Sequence, residues 1–169
     1  MEMETARSVV LVAATVTTGL MAGLFHAFSI AVMPGLARTD DRTVVETMRN
    51  INVAILNGWF LLGYGGALVC DVAALVLLAV DRDAGGGLVP VVAATALYLA
   101  AVLLTARVNI PLNNELEQAG ARAGAADLAA ARSRFERPWV RANHVRTLLC
   151  TASLALLCLA LVEQGAATG

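Results

Sequence analysis

Four long apolar stretches constrain this 169-residue chain more than anything else in it: about residues 9–32, 54–80, 88–108 and 139–162. Each is near or above the roughly 20 residues that a helix needs to cross a hydrocarbon core about 30 Å thick. They are rich in Ala, Leu and Val and carry very few charges. Composition agrees, with 59% apolar residues, 15% charged residues and a mean hydropathy of +0.73. Soluble domains sit near about 45–50% apolar and about 25% charged. A disordered chain, a collagen-like chain and an ordinary soluble enzyme are therefore excluded. Twelve basic residues nearly cancel 13 acidic ones, which argues against a nucleic-acid partner. The expected fold is all-α: one transmembrane four-helix bundle over residues 1–169, with antiparallel up-down neighbours and a long helical loop between helices three and four.

The N-terminal segment carries Glu2 and Glu4 against Arg7, and its apolar run is too long for a signal peptide. It reads as a retained helix. With four spans, both termini and the second loop share one side and hold Arg7 and Arg82. The other ten arginines, among them Arg38, Arg42, Arg49, Arg122, Arg132, Arg134, Arg137 and Arg141, fall in or beside loops one and three. The bias places those loops in the cytoplasm and both termini outside, in a cytoplasmic membrane. Loop two, from Asp81 to Gly87, reads as a simple turn. In loop three, residues 124–136 read as a surface helix, and Pro138 as the first turn of the fourth span. Cys70, Cys150 and Cys158 lie in apolar stretches without a C-x-x-C pair and read as small core residues. Gly19 and Gly23 have the spacing of a close helix contact.

Polar side chains inside such stretches are costly and usually face a bundle interior or cavity. The up-down topology puts His26 and Ser29 of helix one, Asn52 and Asn57 of helix two, Arg107, Asn109 and Asn113 of helix three, and Trp139, Asn143, His144 and Arg146 of helix four at one end. Trp139, Asn143 and Arg146 are i, i+4 and i+7 and share a face. His144 follows Asn143 and points about 100° away, so both reach a cavity only if it is broad. Pro111, between Asn109 and Asn113, reads as a potential helix break. Asp71, toward the other end of helix two, is expected to reach the interface or bond a neighbouring helix. The nearest metal-ligand set is His26, His144 and Glu115, a combination known for iron. Neither H-x-x-H nor E-x-x-H spacing accompanies it, so no metal ligand and no cofactor is assigned.

At these residues the chain resembles the anthrone oxygenase family of small four-helix membrane proteins. The resemblance rests on Gly19-Leu20-Met21-Ala22-Gly23, Ala27-Phe28-Ser29 and Val32-Met33-Pro34-Gly35-Leu36. It continues through Met48, Ile51-Asn52, Asn57 and Phe60, then Asn109-Ile110-Pro111-Leu112-Asn113-Asn114, and ends at Trp139 with Asn143-His144-Val145-Arg146-Thr147. His26 and Ala142 stand where the family pattern often has an aromatic residue. The resemblance implies oxidation of an anthrone-like polycyclic phenol to a quinone by O₂, without metal or flavin.

Such chemistry needs a base, donors for an enolate oxygen and a dry pocket. His144 is the expected base. Asn143, Asn113 and Arg146 are expected to hold the oxyanion, and Trp139 to stack on or roof the substrate. Asn52 and Asn57 are expected to orient the others, with Asn109 and His26 adding to the substrate wall. The partners are then a small aromatic substrate, O₂ and membrane lipids, with homo-oligomerisation left open. Two readings compete: a membrane scaffold or partner subunit whose polar residues join helices, and a lipid or quinone binder whose arginines hold a polar head.

Overall fold

The computed structural model describes residues 2–81, 86–120 and 124–168, and these are helical with no strand among them. Five helices follow in order: α1 (Glu2–Leu36), α2 (Asp41–Ala54), α3 (Gly58–Val80), α4 (Leu88–Ala119) and α5 (Ala125–Thr168). All but α2 are long and apolar enough to cross a membrane, which gives the four-helix bundle expected.

Contacts fix how the four pack. Near one end, Arg7 of α1 meets Asp81 after α3, and Gly87 before α4 meets Glu163 of α5. Midway, Ser153 of α5 donates to Ala94 O of α4 at 2.9 Å, and Tyr98 of α4 donates to Tyr64 O of α3 at 2.9 Å. At the other end Ser29 of α1 meets Asn143 of α5. Early residues of each helix thus face late residues of its neighbour, so adjacent helices run in opposite directions. Gly87 has φ +86°, a left-handed conformation that only glycine adopts without strain.

The helices are longer than the apolar runs, and the prolines explain why. Pro111 and Pro138 were expected to break or begin helices, yet α4 continues to Ala119 and Pro138 lies inside α5. A proline removes one N–H and crowds the carbonyl four residues back. For Pro34 and Pro111 that carbonyl belongs to Ile30 and Arg107, each inside a π-helical turn: Phe28–Val32 and Thr105–Asn109. The wider turn absorbs the proline without ending the helix. The expected long loop three is therefore mostly helix, and its surface helix is the first part of α5. Arg82–Gly85 of loop two and Arg122 lie outside the described residues.

Before the second span, Asp41–Ala54 form the separate helix α2. Asp40 caps it, accepting from Thr43 N at 3.0 Å and Thr43 Oγ1 at 2.8 Å. These bonds hold the Asp40 carboxyl below the usual carboxylate range. The apolar face of α2 packs Val45 and Met48 against Leu116, Leu128 and Phe135. The ends of α4 and α5 and the helix α2 thus form a cap over one end of the bundle. Arg132 of α5 pins it, donating to Thr39 O at 2.9 Å and Asp41 Oδ1 at 3.0 Å.

Three smaller expectations are narrowed or corrected. Asp71 is fully buried, which excludes the interface and leaves the expected placement against a neighbouring helix. Of the cysteines only Cys150 is a core residue, since Cys158 is exposed and Cys70 half-buried. A Cβ on Gly19 would touch Leu154 at 3.5 Å, but one on Gly23 would meet nothing within 4 Å, so the pair is not one close contact.

Candidate functional site

A cavity of about 570 Å³ opens beneath the cap, walled by α1, α3, α4 and α5 with the α2–α3 elbow at its rim. Its walls are largely apolar: Phe25, Phe28, Ile51, Phe60 and Trp139 line it. Val53 and Leu56 at the rim are about 70% exposed, whereas Asn109 and Asn143 at the deep end are 1% exposed. Asn109, Asn143 and Arg146 thus lie where water is excluded.

Arg146 dominates that deep end. The residue is 5% exposed, and its guanidinium makes no ion pair with any described carboxylate. It donates to Asn143 Oδ1 at 2.8 Å and reaches Thr105 Oγ1 at 3.4 Å. The plane of charge lies 4.3 Å from the Phe25 ring centroid and 5.4 Å from that of Trp139. Aromatic faces attract a cation but do not neutralise it. A buried charge without its counter-ion is strongly disfavoured, so this one is poised for an anionic oxygen.

The neighbours of Arg146 are fixed. Asn143 Nδ2 donates to Phe25 O and to Ser29 Oγ, both at 2.9 Å, which holds its Oδ1 toward Arg146. The π turn of α1 carries Phe28 and Ser29, and that of α4 carries Thr105 and Asn109. π turns recur at functional sites because they turn one side chain out of helical register. Both amide atoms of Asn109 are buried without a hydrogen-bond partner, as are Asn52 Nδ2 and Arg146 Nε. Native structures rarely leave such groups unsatisfied unless something else binds there.

The cavity lining gathers most of the residues expected at the site: Asn52, Asn109, Asn113, Trp139, Asn143 and Arg146 all belong to it. Trp139 Nε1 donates to Asn113 Oδ1 at 2.9 Å, and its ring packs between Phe28 and Phe135 at centroid distances of 5.6 and 5.9 Å. Trp139 is therefore a fixed wall, and Asn113 spends its oxygen on it.

Three expected residues are placed elsewhere. Asn57 is exposed and caps α3, accepting from Phe60 N at 3.0 Å and donating to Ala54 O at 2.8 Å. His26 and His144 are exposed and outside the cavity lining. Each follows a residue that faces inward, Phe25 and Asn143, so one helical step of about 100° turns it out. The base role expected of His144 has no geometric support. Among the described residues, no three His, Cys, Asp or Glu side chains gather in one place.

Tyr64, Thr105 and Glu117 also line the cavity and were missed. Tyr64 is four residues after Phe60, so both lie on one face of α3. Glu117 sits at the rim, bound by Arg49 through two hydrogen bonds at 2.6 and 3.0 Å.

A family model described as anthrone oxygenase matches residues 59–156, more than half of the chain. The matched region contains Asn109, Asn113, Trp139, Asn143 and Arg146. No curated protein and no solved structure matches the chain.

Proposed function

Since this chain belongs to the anthrone oxygenase family, we propose that its cavity binds an anthrone-like polycyclic phenol and oxidises it to the quinone with O₂. The observation that carries this is Arg146: deeply buried, without a carboxylate partner among the described residues, and at the end of an apolar cavity. An anthrone is flat and apolar, and loss of its acidic C–H proton puts negative charge on its carbonyl oxygen. Arg146 supplies the charge for that oxygen, and the idle amide of Asn109 a second donor. Asn143 orients Arg146. Phe25, Phe28 and Trp139 form an apolar sleeve for the rings.

In this reading the anion itself is the reductant of O₂, so no cofactor is required. The dry cavity shields the anion from reprotonation by bulk water. The excess of arginine near the cavity end supports a cytoplasmic orientation for it.

The test is O₂ uptake and quinone absorbance with 1,8-dihydroxyanthrone and the chain purified in mild detergent, with and without chelator. The expected result is one O₂ consumed per quinone, above spontaneous oxidation and unchanged by chelator. Turnover equal to the protein-free control would reject the reading. A quinone or lipid co-purifying with a turnover-silent chain would establish the binding alternative instead.

A further inference from the structure

The proposed reaction has a proton problem that Arg146 does not solve. Arg146 favours the substrate anion, but the peroxide formed with O₂ must gain a proton, and a second C–H proton must leave. Of the lining side chains other than Arg146, two carry an ionisable proton, Tyr64 and Glu117, and Thr105 adds a hydroxyl. Glu117 is committed to Arg49 at the exposed rim. The hydroxyl of Thr105 donates to Ala101 O at 2.8 Å. Tyr64 remains.

Three contacts set its placement. The ring stacks on Phe60 at 5.3 Å with a 14° interplanar angle and meets Tyr98 at 6.4 Å. Its backbone carbonyl accepts the Tyr98 hydroxyl at 2.9 Å. Tyr64, Thr105 and Arg146 line the same cavity. Thr105 in turn is the group that Arg146 reaches at 3.4 Å. Tyr64 on α3 therefore faces the cationic end of the cavity from the wall opposite α5.

Resting on the oxygenase reading above, we propose that Tyr64 is the proton-transfer residue of this site. The substrate binds as its anion, releasing one proton to solvent. It passes one electron to O₂, and recombination forms a C–O bond to a peroxide anion. The Tyr64 hydroxyl gives its proton to the outer peroxide oxygen. The resulting tyrosinate, held by the nearby guanidinium, removes the remaining C–H proton. That C–H electron pair becomes the new C=O bond as the O–O bond breaks and hydroxide leaves. The hydroxide takes up the proton first released, so the sum is one anthrone and one O₂ to one quinone and one water, with Tyr64 restored.

Tyr64→Phe keeps the ring and its stacking and removes only the hydroxyl. It is compared with wild type in two measurements: binding of 1,8-dihydroxyanthraquinone, which cannot react, and oxidation of 1,8-dihydroxyanthrone followed as both O₂ uptake and quinone. The expected result is probe binding within about twofold of wild type and quinone formation slowed about 100-fold, a typical size for lost acid–base catalysis. Hydrogen peroxide or substrate dimer should account for the O₂ still consumed. Full quinone formation by Tyr64→Phe beside an active wild type would overturn the Tyr64 role and leave the oxygenase reading standing. Loss of probe binding would make Tyr64 a wall residue and also overturn it. An inactive wild type would bring down both.

Discussion

Two buried arginines sit at opposite ends of this bundle. Arg7 is 4% exposed and Arg146 is 5% exposed. The first has its anion in the chain, since Arg7 Nη1 lies 2.6 Å from Asp81 Oδ2. The second has an amide, a hydroxyl and two aromatic faces, but no carboxylate among the described residues. At Arg7's end the helices close on one another through Glu163 and Gly87 and through Gln164 and Gly86. At Arg146's end they part around a cavity. An equal degree of burial thus has two meanings. Where the counter-charge is built in, the arginine joins elements. Where it is withheld, the fold accepts a strained charge and offers it to a ligand.

The largest effect should come from Arg146→Gln. Losing a preorganised charge at a developing oxyanion lowers turnover by about 100- to 1000-fold. Thermal melting in detergent should stay level or rise, because an uncompensated charge has been removed. Arg7→Gln should do the reverse. It removes the Arg7–Asp81 ion pair, whose carboxylate is about a quarter exposed, and should destabilise the fold by roughly 2–3 kcal/mol, below the full range for a wholly buried pair. Turnover per folded molecule should stay unchanged. Matching losses of stability in the two variants would erase the distinction.

Asn109→Leu tests the same contrast at a neutral residue. A buried amide with both atoms idle adds nothing to the fold, so stability should hold or improve. Affinity for 1,8-dihydroxyanthraquinone should fall about tenfold, the size of one hydrogen bond to a charged group. His144→Ala should have the smallest effect, with turnover within about twofold of wild type.

Much of this was legible in the sequence, for reasons that differ by region. Lipid requires long unbroken apolar helices, so the four spans could be read from Ala, Leu and Val runs. The clustering of Asn52, Asn109, Asn143 and Arg146 followed from alternating helix directions, without knowing any contact. Helix ends were less legible. Pro111 and Pro138 look like boundaries, but a π turn before Pro111 lets α4 run on, and a π turn depends on packing that local sequence does not specify. The histidines were misplaced because residue type outweighed angle. His144 is one step from Asn143, and its turn away from the cavity follows from helix geometry alone. Tyr64 was hidden for the opposite reason: among Gly63, Gly65 and Gly66 in an apolar span, a tyrosine resembles any other core aromatic.

The most direct test of the withheld counter-charge is the absorbance spectrum of 1,8-dihydroxyanthraquinone bound to the chain at a pH where the free compound is neutral. Ionised hydroxyanthraquinones absorb at longer wavelength. Wild type should bind the compound with the red-shifted spectrum of the anion, and Arg146→Gln should bind it weakly and unshifted. A wild-type complex with the spectrum of the neutral compound, or an equal red shift in Arg146→Gln, would contradict the role assigned to Arg146.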